Sequence, residues 1–560
     1  MPKPLPLLRG EITYSTAKLE EVNVLHRLRY CDQRDEFFAY ILENRKWIEM
    51  IVAHHLNLGS SNECRVADFG DWQHGSFNLC VPVYVNTWKE KQQPGSRVLL
   101  RLPLPYRVGD AFRPGNGDEK IRCEAGTYAW LEQNCPDIPI PRLYGFATST
   151  GETFTRLQIL PFFTRCFASI RRKLLAFLGK PTPTQYVRHQ PPSSIPSSRI
   201  MGSGYLLIEY IEDEQGEMLS KSWSEKHHEA ELRMNLFQSL SRILLSITRI
   251  RLSKIGSFVI DQSGFLCLAN RPLSLEIQDL ENEKIPTSIP RGCTYSTVDS
   301  YATAMLHMHD SRLRYQPNAI NNLGDYLYQT SALTAMRAVF PSFFRPEFRH
   351  GPFVFWLTDL HQSNIFVDKD WHITCLVDLE WACTRPIEML RTPTWLTDKA
   401  VDEIAVEAEG YDDMRREFIN VLVAEEQKVE AARVQNSSTT LKGGRAIGAV
   451  DETAQIPDTY DEIDAVGDTY KTQLSATMEE NWESGAFWYS LALASPTGLF
   501  SVFYKQVQPR FLRYSHDDDG FQQVMPWYWS QDFVKIGKSK IADRSDYDLQ
   551  LEKAFRVEGL

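Results

Sequence analysis

The chain has 560 residues, of which 43% are hydrophobic and 24% charged. This composition supplies apolar material for buried cores and excludes a mainly disordered, collagen-like or disulfide-dense protein. At about 150 residues per domain the length predicts three or four structural units. The 72 acidic and 61 basic residues give a formal net charge of −11, so the chain lacks the basic field that is typical of nucleic-acid-binding proteins.

The cysteines and the apolar runs indicate where the protein resides. The ten cysteines lie far apart and form no CxxC pair, which predicts reduced, mostly buried thiols rather than a disulfide frame or a zinc site. The N-terminus has no apolar core of signal-peptide length. The sequence contains no run of about 18 uncharged apolar residues, so no transmembrane segment is predicted. The expected location is the cytoplasm.

The first part of the chain predicts a helical extension followed by a small α/β lobe. Residues 1–63 form the extension, because they have helical spacing with few breakers. Three strands are expected within residues 64–102, with a loop at 70–76 between the first two. A continuous apolar strand at 205–211 closes the lobe, which spans residues 64–211.

A long helix is expected inside this lobe, after a loop rich in glycine and proline. Asp118 is a plausible N-cap of that helix. Four apolar residues at helical spacing predict the face of this helix that packs on the core: Ile121, Ala125, Tyr128 and Leu131.

Residues 157–198 interrupt the lobe. Their first half mixes arginine and lysine with phenylalanine and leucine, which predicts a basic amphipathic helix. Such a helix either packs on its own domain or contacts a membrane surface. The second half, 181–198, is rich in proline and serine and predicts a flexible loop.

Residues 212–560 predict a larger, mainly helical lobe. Within it, residues 435–466 are polar and lack periodicity, which predicts a disordered insertion. Aromatic residues of the last helices, such as Trp482, Trp488 and Trp527, either line an acceptor site or form buried core.

One stretch carries a pattern that phosphoryl transfer requires. Asp359 and Asn364 lie five residues apart, a short predicted hairpin follows, and Asp378 comes fourteen residues after Asn364. One carboxylate can orient an attacking hydroxyl and accept its proton, while an amide oxygen and a second carboxylate can hold Mg²⁺. Hard oxygen ligands suit that ion. In the alternative interpretation both residues have purely structural roles, with Asp359 as a helix cap and Asp378 as a turn residue.

This stretch resembles the catalytic and metal loops of the aminoglycoside phosphotransferase and choline-kinase-like family, especially its fungal-type branch. The resemblance spans roughly residues 64–395. It implies an α+β, protein-kinase-like two-lobed fold, with ATP and Mg²⁺ as cofactors and a small-molecule hydroxyl as acceptor. It also implies that Asp359 is the catalytic base and that Asn364 and Asp378 are the magnesium ligands.

The same resemblance assigns the upstream parts of a nucleotide site. Gly75, Ser76 and Asn78 lie where the family has its phosphate loop. Arg101 stands where kinases carry a phosphate-binding lysine, and Glu124 stands where its partner is expected, although a structural salt bridge would look the same. Glu209 to Ile211 resembles the interlobe hinge, whose backbone faces adenine.

Two departures accompany the resemblance. Arg101 replaces the usual lysine; it keeps the charge but is not the geometric equivalent of lysine. Leu357 stands where a histidine is usual, and His361 lies two residues after Asp359 instead, where it either orients a substrate or the loop or bonds to backbone.

The sequence therefore predicts an ATP- and Mg²⁺-dependent small-molecule phosphotransferase. A nucleotide-binding pseudokinase that serves as a scaffold is the alternative that Arg101 favours. A protein kinase is a weaker alternative, since no activation segment ending in an Ala-Pro-Glu-like motif follows Asp378.

Overall fold

The computed structural model describes residues 3–86, 96–193, 195–196, 202–440, 473–511 and 518–557. The fold is mixed α/β, with a sheet-containing region in the first part and many helices after it. The strands are β1 (Leu5–Pro6), β2 (Glu11–Ile12), β3 (Cys64–Val66), β4 (Gln73–His74), β5 (Asn78–Val85), β6 (Arg97–Pro103), β7 (Leu143–Ala147), β8 (Thr153–Arg156), β9 (Tyr186–Arg188), β10 (Tyr205–Glu209), β11 (Glu217–Met218), β12 (Arg251–Leu252), β13 (Ser257–Ile260), β14 (Leu266–Asn270), β15 (Phe353–Leu357), β16 (Ile365–Val367), β17 (Ile373–Leu376) and β18 (Ala382–Pro386).

The helices lie between and after these strands. They are α1 (Tyr14–Leu19), α2 (Val24–Arg27), α3 (Tyr30–Glu43), α4 (Arg45–His55), α5 (Pro105–Val108), α6 (Asn116–Asn134), α7 (Phe162–Phe177), α8 (Trp223–Lys226), α9 (Ala230–Thr248), α10 (Leu275–Asn282), α11 (Val298–Tyr315), α12 (Leu323–Val339), α13 (Val401–Val406), α14 (Ala408–Thr440), α15 (Leu474–Ser484), α16 (Ala486–Leu493), α17 (Leu499–Val502), α18 (Asp518–Val524) and α19 (Phe533–Val557).

The main sheet is antiparallel and has the strand order β3-β5-β6-β10-β7-β8-β9, with β4 paired to β5. Its strands read as continuous apolar runs because both faces are covered. Along β10, Leu207 belongs to the core that α4 shares, whereas Leu206 and Ile208 belong to the core that includes Ile121 of α6. Successive strand side chains point to opposite faces, so the sheet lies between α4 and α6.

Helix α6 positions the candidate site, and its first turn is polar yet buried. It begins after Gly115, whose φ of 90° is left-handed, so the expected cap at Asp118 is wrong. Asp118 instead accepts hydrogen bonds from the backbone N–H and hydroxyl of Ser149 at 2.6 and 2.8 Å. Glu119 receives two guanidinium N–H groups of buried Arg271 at 2.8 Å each. Arg271 also bonds Glu281, which ties α6 to α10.

Gly126 allows α6 to pack directly on the backbone of β13. A Cβ atom at this position would lie 2.1 Å from the carbonyl oxygen of Phe258. We expect Gly126→Ala to lower the free energy of unfolding by about 2 kcal/mol or more, because the strand backbone must move. Gly410→Ala is the matched control, since this helical glycine has no atom within 4 Å of the added Cβ. The control should be neutral or stabilise by up to about 1 kcal/mol. Urea denaturation of both variants measures the two effects, and equal midpoints would contradict the close packing.

The remaining strands carry the loops of the candidate site. Strand β15 pairs with β12 and β18, and β16 pairs with β11 and β17. The α9 helix packs beside this region, with Leu240 and Leu244 in the same core as Phe355 of β15. The two ends of the described chain also meet, because Val24 of α2 and Leu551 of α19 share a small separate core.

Several sequence expectations can be compared with these elements. The amphipathic helix inside 157–198 is present as α7, but the expected loop after it contains β9, which forms an edge of the main sheet. Residues 435–440 continue helix α14 rather than forming part of a disordered insertion, and 441–466 lie outside the described residues. All ten cysteines are free, and five of them are buried while five are half-buried, so the expectation of mostly buried thiols holds for half of them. The division of the chain into domains at 63 and 211 stays a prediction.

Two further findings concern the surface and the helices. Trp488 is buried, as the core interpretation expects, whereas Trp527 is 62% exposed. Across the described ranges, the helices are either too short or too polar to cross a bilayer.

Candidate functional site

Asp359 lies in the turn that follows β15. The strand holds this turn by pairing with β18, and the Thr358 hydroxyl donates to the carbonyl of Trp381 at 2.5 Å. Asp359 is partly exposed, with 30% of its side chain accessible, and His361 Nε2 lies 3.8 Å from its Oδ1. The other ring nitrogen of His361 accepts the backbone N–H of Ser363 at 3.3 Å. His361 therefore holds the loop in shape beside the carboxylate.

The hairpin of β16 and β17 brings Asn364 and Asp378 to the same end. The N–H of Val377 donates to the carbonyl of Asn364 at 3.0 Å, immediately beyond the paired residues of the two strands. The Asn364 amide donates to the backbone carbonyl of Asp359 at 2.9 Å. Asp378 has a left-handed φ of 60°, an uncommon conformation for a residue other than glycine. The structure thus brings Asp359, Asn364 and Asp378 together, although 19 positions separate the first from the last.

Arg101 joins the main sheet to this hairpin. Its guanidinium bonds Glu124 of α6 and Asp378, and it reaches Glu380 Oε2 at 3.0 Å. Arg101, Glu124 and Glu380 are almost fully buried, while the side chain of Asp378 is 34% exposed. The expected pair of Arg101 and Glu124 is therefore present, but the arginine also reaches directly to the predicted metal ligand.

Lys120 is a second buried cation in this cluster and was not expected from the sequence. It lies one helical turn before Glu124, has no accessible side-chain surface, and bonds Glu380 at 2.5 Å. Asn78 accepts from Lys120 and donates its own amide to Glu380 at 2.7 Å. Asn78 is therefore a member of the cluster, as are Arg101 and Glu124. The only signal in the sequence was the i, i+4 spacing of Lys120 and Glu124 on one helix face.

The three carboxylates of this region have different pKa values because their surroundings differ. Burial raises the pKa of Asp359 to about 8, and the charges of Asp378 and Glu380 add to the rise. Burial and Asp378 raise the pKa of Glu380 to about 7 against the opposing effect of Lys120 and Arg101. Burial also acts on Asp378, but Arg101 and Lys120 outweigh it and hold its pKa below the usual range. At neutral pH, Asp378 is ionised and Asp359 largely holds its proton.

This difference predicts how stability depends on pH. The Asp359 pKa is raised from 3.8 in the unfolded chain to about 8 in the fold, so the stability that its proton provides is lost as the pH rises between these values. In EDTA, Asp359→Asn should raise the free energy of unfolding relative to the wild type, with a gain at least about 1 kcal/mol larger at pH 8 than at pH 5. Urea denaturation at both pH values measures it. Asp370→Asn, at an exposed turn position, controls for the loss of one carboxylate, and a pH-independent gain would contradict the assignment.

The other expected nucleotide contacts lie at the edges of this cluster. Gly75 and Ser76 are exposed in the turn between β4 and β5, where the Gly75 N–H donates to the Asn78 carbonyl at 3.0 Å. Glu209 ends β10, and its N–H donates to the Arg142 carbonyl at 2.8 Å. Ile211 follows in a half-buried position. The backbone N–H of Glu209 is therefore already paired within the protein.

The oxygen atoms near Asp378 fit a magnesium ion chemically. Asn364 offers an amide oxygen and Asp378 an ionised carboxylate, and Mg²⁺ takes few protein oxygens while keeping several waters. In the described part of the chain, no three His, Cys, Asp or Glu side chains are grouped as a metal site would require. The ion would therefore depend on phosphate and water for its remaining ligands.

The space between the two loops is small. A cavity of about 10 Å³ lies between them, lined by Asp359, Leu360, Asp378 and Trp381 among others, which is room for about one water. Any molecule larger than a water could therefore reach these loops only from the solvent side, where the carboxylates of Asp359 and Asp378 are partly exposed.

Comparisons with known proteins give a structural likeness but no match in sequence. No protein-family model matches the chain, and no curated protein matches it in sequence. A solved structure of a thermostable mutant of the aminoglycoside phosphotransferase APH(4)-Ia, in a ternary complex with AMP-PNP and hygromycin B, aligns over 84% of this chain and 96% of its own, with 11% identity and a TM-score of 0.31.

Proposed function

We propose that the protein is a phosphotransferase that moves the γ-phosphoryl group of Mg·ATP to a hydroxyl of a small molecule, on a kinase-like fold with two lobes. One observation carries the proposal. Asp359, Asn364 and Asp378 converge at one end of a hairpin, where the two carboxylates are partly exposed. A helix cap and a turn residue would not require that convergence.

Each residue of the cluster has a role in this proposal. In its ionised form, which is the minority form at neutral pH because the pKa of Asp359 is raised to about 8, this carboxylate accepts the proton of the attacking hydroxyl. His361 keeps its loop in place. Asn364 and Asp378 would hold the magnesium ion, which neutralises charge on the transferring phosphoryl group. Arg101, fixed by Glu124, contributes positive charge at the inner side of the site. The phosphates of the nucleotide would lie along the turn from Gly75 to Asn78, and its adenine base would lie near Glu209 and Ile211.

A second candidate is a nucleotide-binding pseudokinase that serves as a scaffold. The direct bond between Arg101 and Asp378 favours it, because a guanidinium that neutralises the carboxylate competes with a metal ion. Phosphoryl transfer from γ-labelled ATP to a panel of hydroxylated small molecules separates the two candidates. The phosphotransferase yields labelled product with at least one acceptor. Binding of ATP without formation of any product would favour the pseudokinase that serves as a scaffold.

A cytoplasmic location belongs to the same proposal. It rests on the ten free cysteines, none of which is exposed, because free thiols are typical of reducing compartments. The acceptor is proposed only by class, as a small molecule that carries a hydroxyl group.

A further inference from the structure

Helix α7 presents its apolar face to solvent. Five residues at spacings of four, three, four and three form one stripe along it, and the exposed fractions are high: Phe163 85%, Phe167 74%, Ile170 65%, Leu174 54% and Phe177 86%. A helix on the surface of a globular protein usually turns such a stripe toward the core. No residue of α7 is buried.

The opposite face of α7 holds the helix on the protein. Arg172 donates to the carbonyl of Pro183, and Arg165 donates to the carbonyl of Gln158 at 3.3 Å. Thr164 and Ala168, on this side, are half-buried. The face that packs is made mainly of small and polar residues, with half-buried Leu175 among them, so the outward orientation of the apolar stripe is set by specific contacts.

The exposed stripe is large for a surface with no partner. At roughly 200 Å² for each phenylalanine side chain, Phe163, Phe167 and Phe177 together expose on the order of 500 Å². This equals the largest apolar patch of an ordinary monomer, and patches of that size often bind something.

The charge around the stripe identifies the occupant. Arg171 and Lys173 lie on either side of the stripe, and Lys180 follows its C-terminal end; all three are exposed. No Asp or Glu occurs between positions 153 and 208, in a chain whose net charge is −11. An apolar face with a basic border matches the acyl chains and anionic headgroups of a bilayer surface.

We propose that α7 anchors the protein to membranes that contain anionic lipid. The helix lies in the plane of the interface, with the phenylalanine stripe in the acyl boundary and Arg171, Lys173 and Lys180 among the headgroups. Its 16 residues extend about 24 Å, and it carries charge, so it rests on the bilayer rather than crossing it. This inference does not depend on the proposed phosphotransferase activity.

Co-sedimentation of the full chain with vesicles tests the proposal. Vesicles of phosphatidylcholine with phosphatidylserine should bind the protein, and vesicles of phosphatidylcholine alone should bind it at least about tenfold less. Replacing both Phe163 and Phe167 with serine should lower binding about 100-fold. Lys173→Glu should lower binding about tenfold and remove part of the salt dependence.

Leu549→Ser is the matched control, because Leu549 is 55% exposed on the distant helix α19 and its replacement should leave binding unchanged. Melting temperatures check that all variants fold. Failure of the wild type to bind either vesicle would overturn the proposal. So would a wild-type dimer in light scattering that the serine variant loses, since the stripe would then be an interface between two copies.

Discussion

Arg101→Met should lower the free energy of unfolding by about 3–5 kcal/mol at pH 7. The guanidinium bonds Glu124 and Glu380, whose side chains are 0% and 1% exposed, and removal of one partner from a buried ion cluster leaves charges without compensation. The loss should shrink as the pH falls, because the pKa of Glu380 is already raised to about 7 by burial and Asp378. Protonation then removes the unpaired charge. Urea denaturation at pH 7 and pH 5.5 measures both effects.

The same strand offers a matched control for this prediction. Arg97 pairs with Glu212, but the two side chains are 25% and 13% exposed, so Arg97→Met should cost only about 1 kcal/mol. Arg101→Lys keeps the charge while losing the forked geometry of the guanidinium. The loss in free energy of unfolding for Arg101→Lys should fall between the losses for Arg97→Met and Arg101→Met. Equal losses for Arg97→Met and Arg101→Met would show that the buried cluster is not a special source of stability.

Asp359→Asn should lower the rate of phosphoryl transfer by about 10²–10⁴-fold, the usual contribution of a positioned base. Asparagine keeps the size of the side chain but cannot take the proton of the hydroxyl. Binding of ATP should change little, because Asp359 faces the acceptor in this proposal. The rate of product formation from γ-labelled ATP, together with calorimetric affinity for ATP, measures the two quantities separately.

The variant at Asp370 controls for this result as well. Asp370→Asn removes an exposed carboxylate from the turn between β16 and β17 and should leave turnover within about twofold. If Asp359→Asn turns over at close to the wild-type rate, Asp359 is not the catalytic base.

The strands and the central loop could be predicted from the sequence because they depend on local patterns. The strand expected directly after the loop at 70–76 is observed as β5 at Asn78–Val85, since its apolar run is bounded by a glycine-containing turn. The pair of Asn364 and Asp378 follows from the hairpin between them, whose strands were also expected. Such short-range features need no knowledge of the rest of the fold.

Features that depend on distant contacts could not be predicted. A loop ending at Asp118 was expected before α6, yet residues 116–120 all lie buried in the helix, because Arg271 and Glu380 supply partners more than 150 positions away. Lys120 was missed for this reason. Strand β9 was missed because its flanks are rich in proline, although pairing with β8 gives it a place in the sheet.

Calorimetric titration with AMP-PNP, with and without Mg²⁺, tests the central claim that Asn364 and Asp378 hold a metal-bound nucleotide. The wild type should bind at least about tenfold more tightly with Mg²⁺ than in EDTA. Asp378→Asn should abolish that difference, and Asn364→Leu should do so without touching the bond to Arg101, with melting temperatures confirming that both fold. Binding of equal strength in EDTA and in both variants would contradict the account, because the nucleotide would then lie elsewhere on the protein.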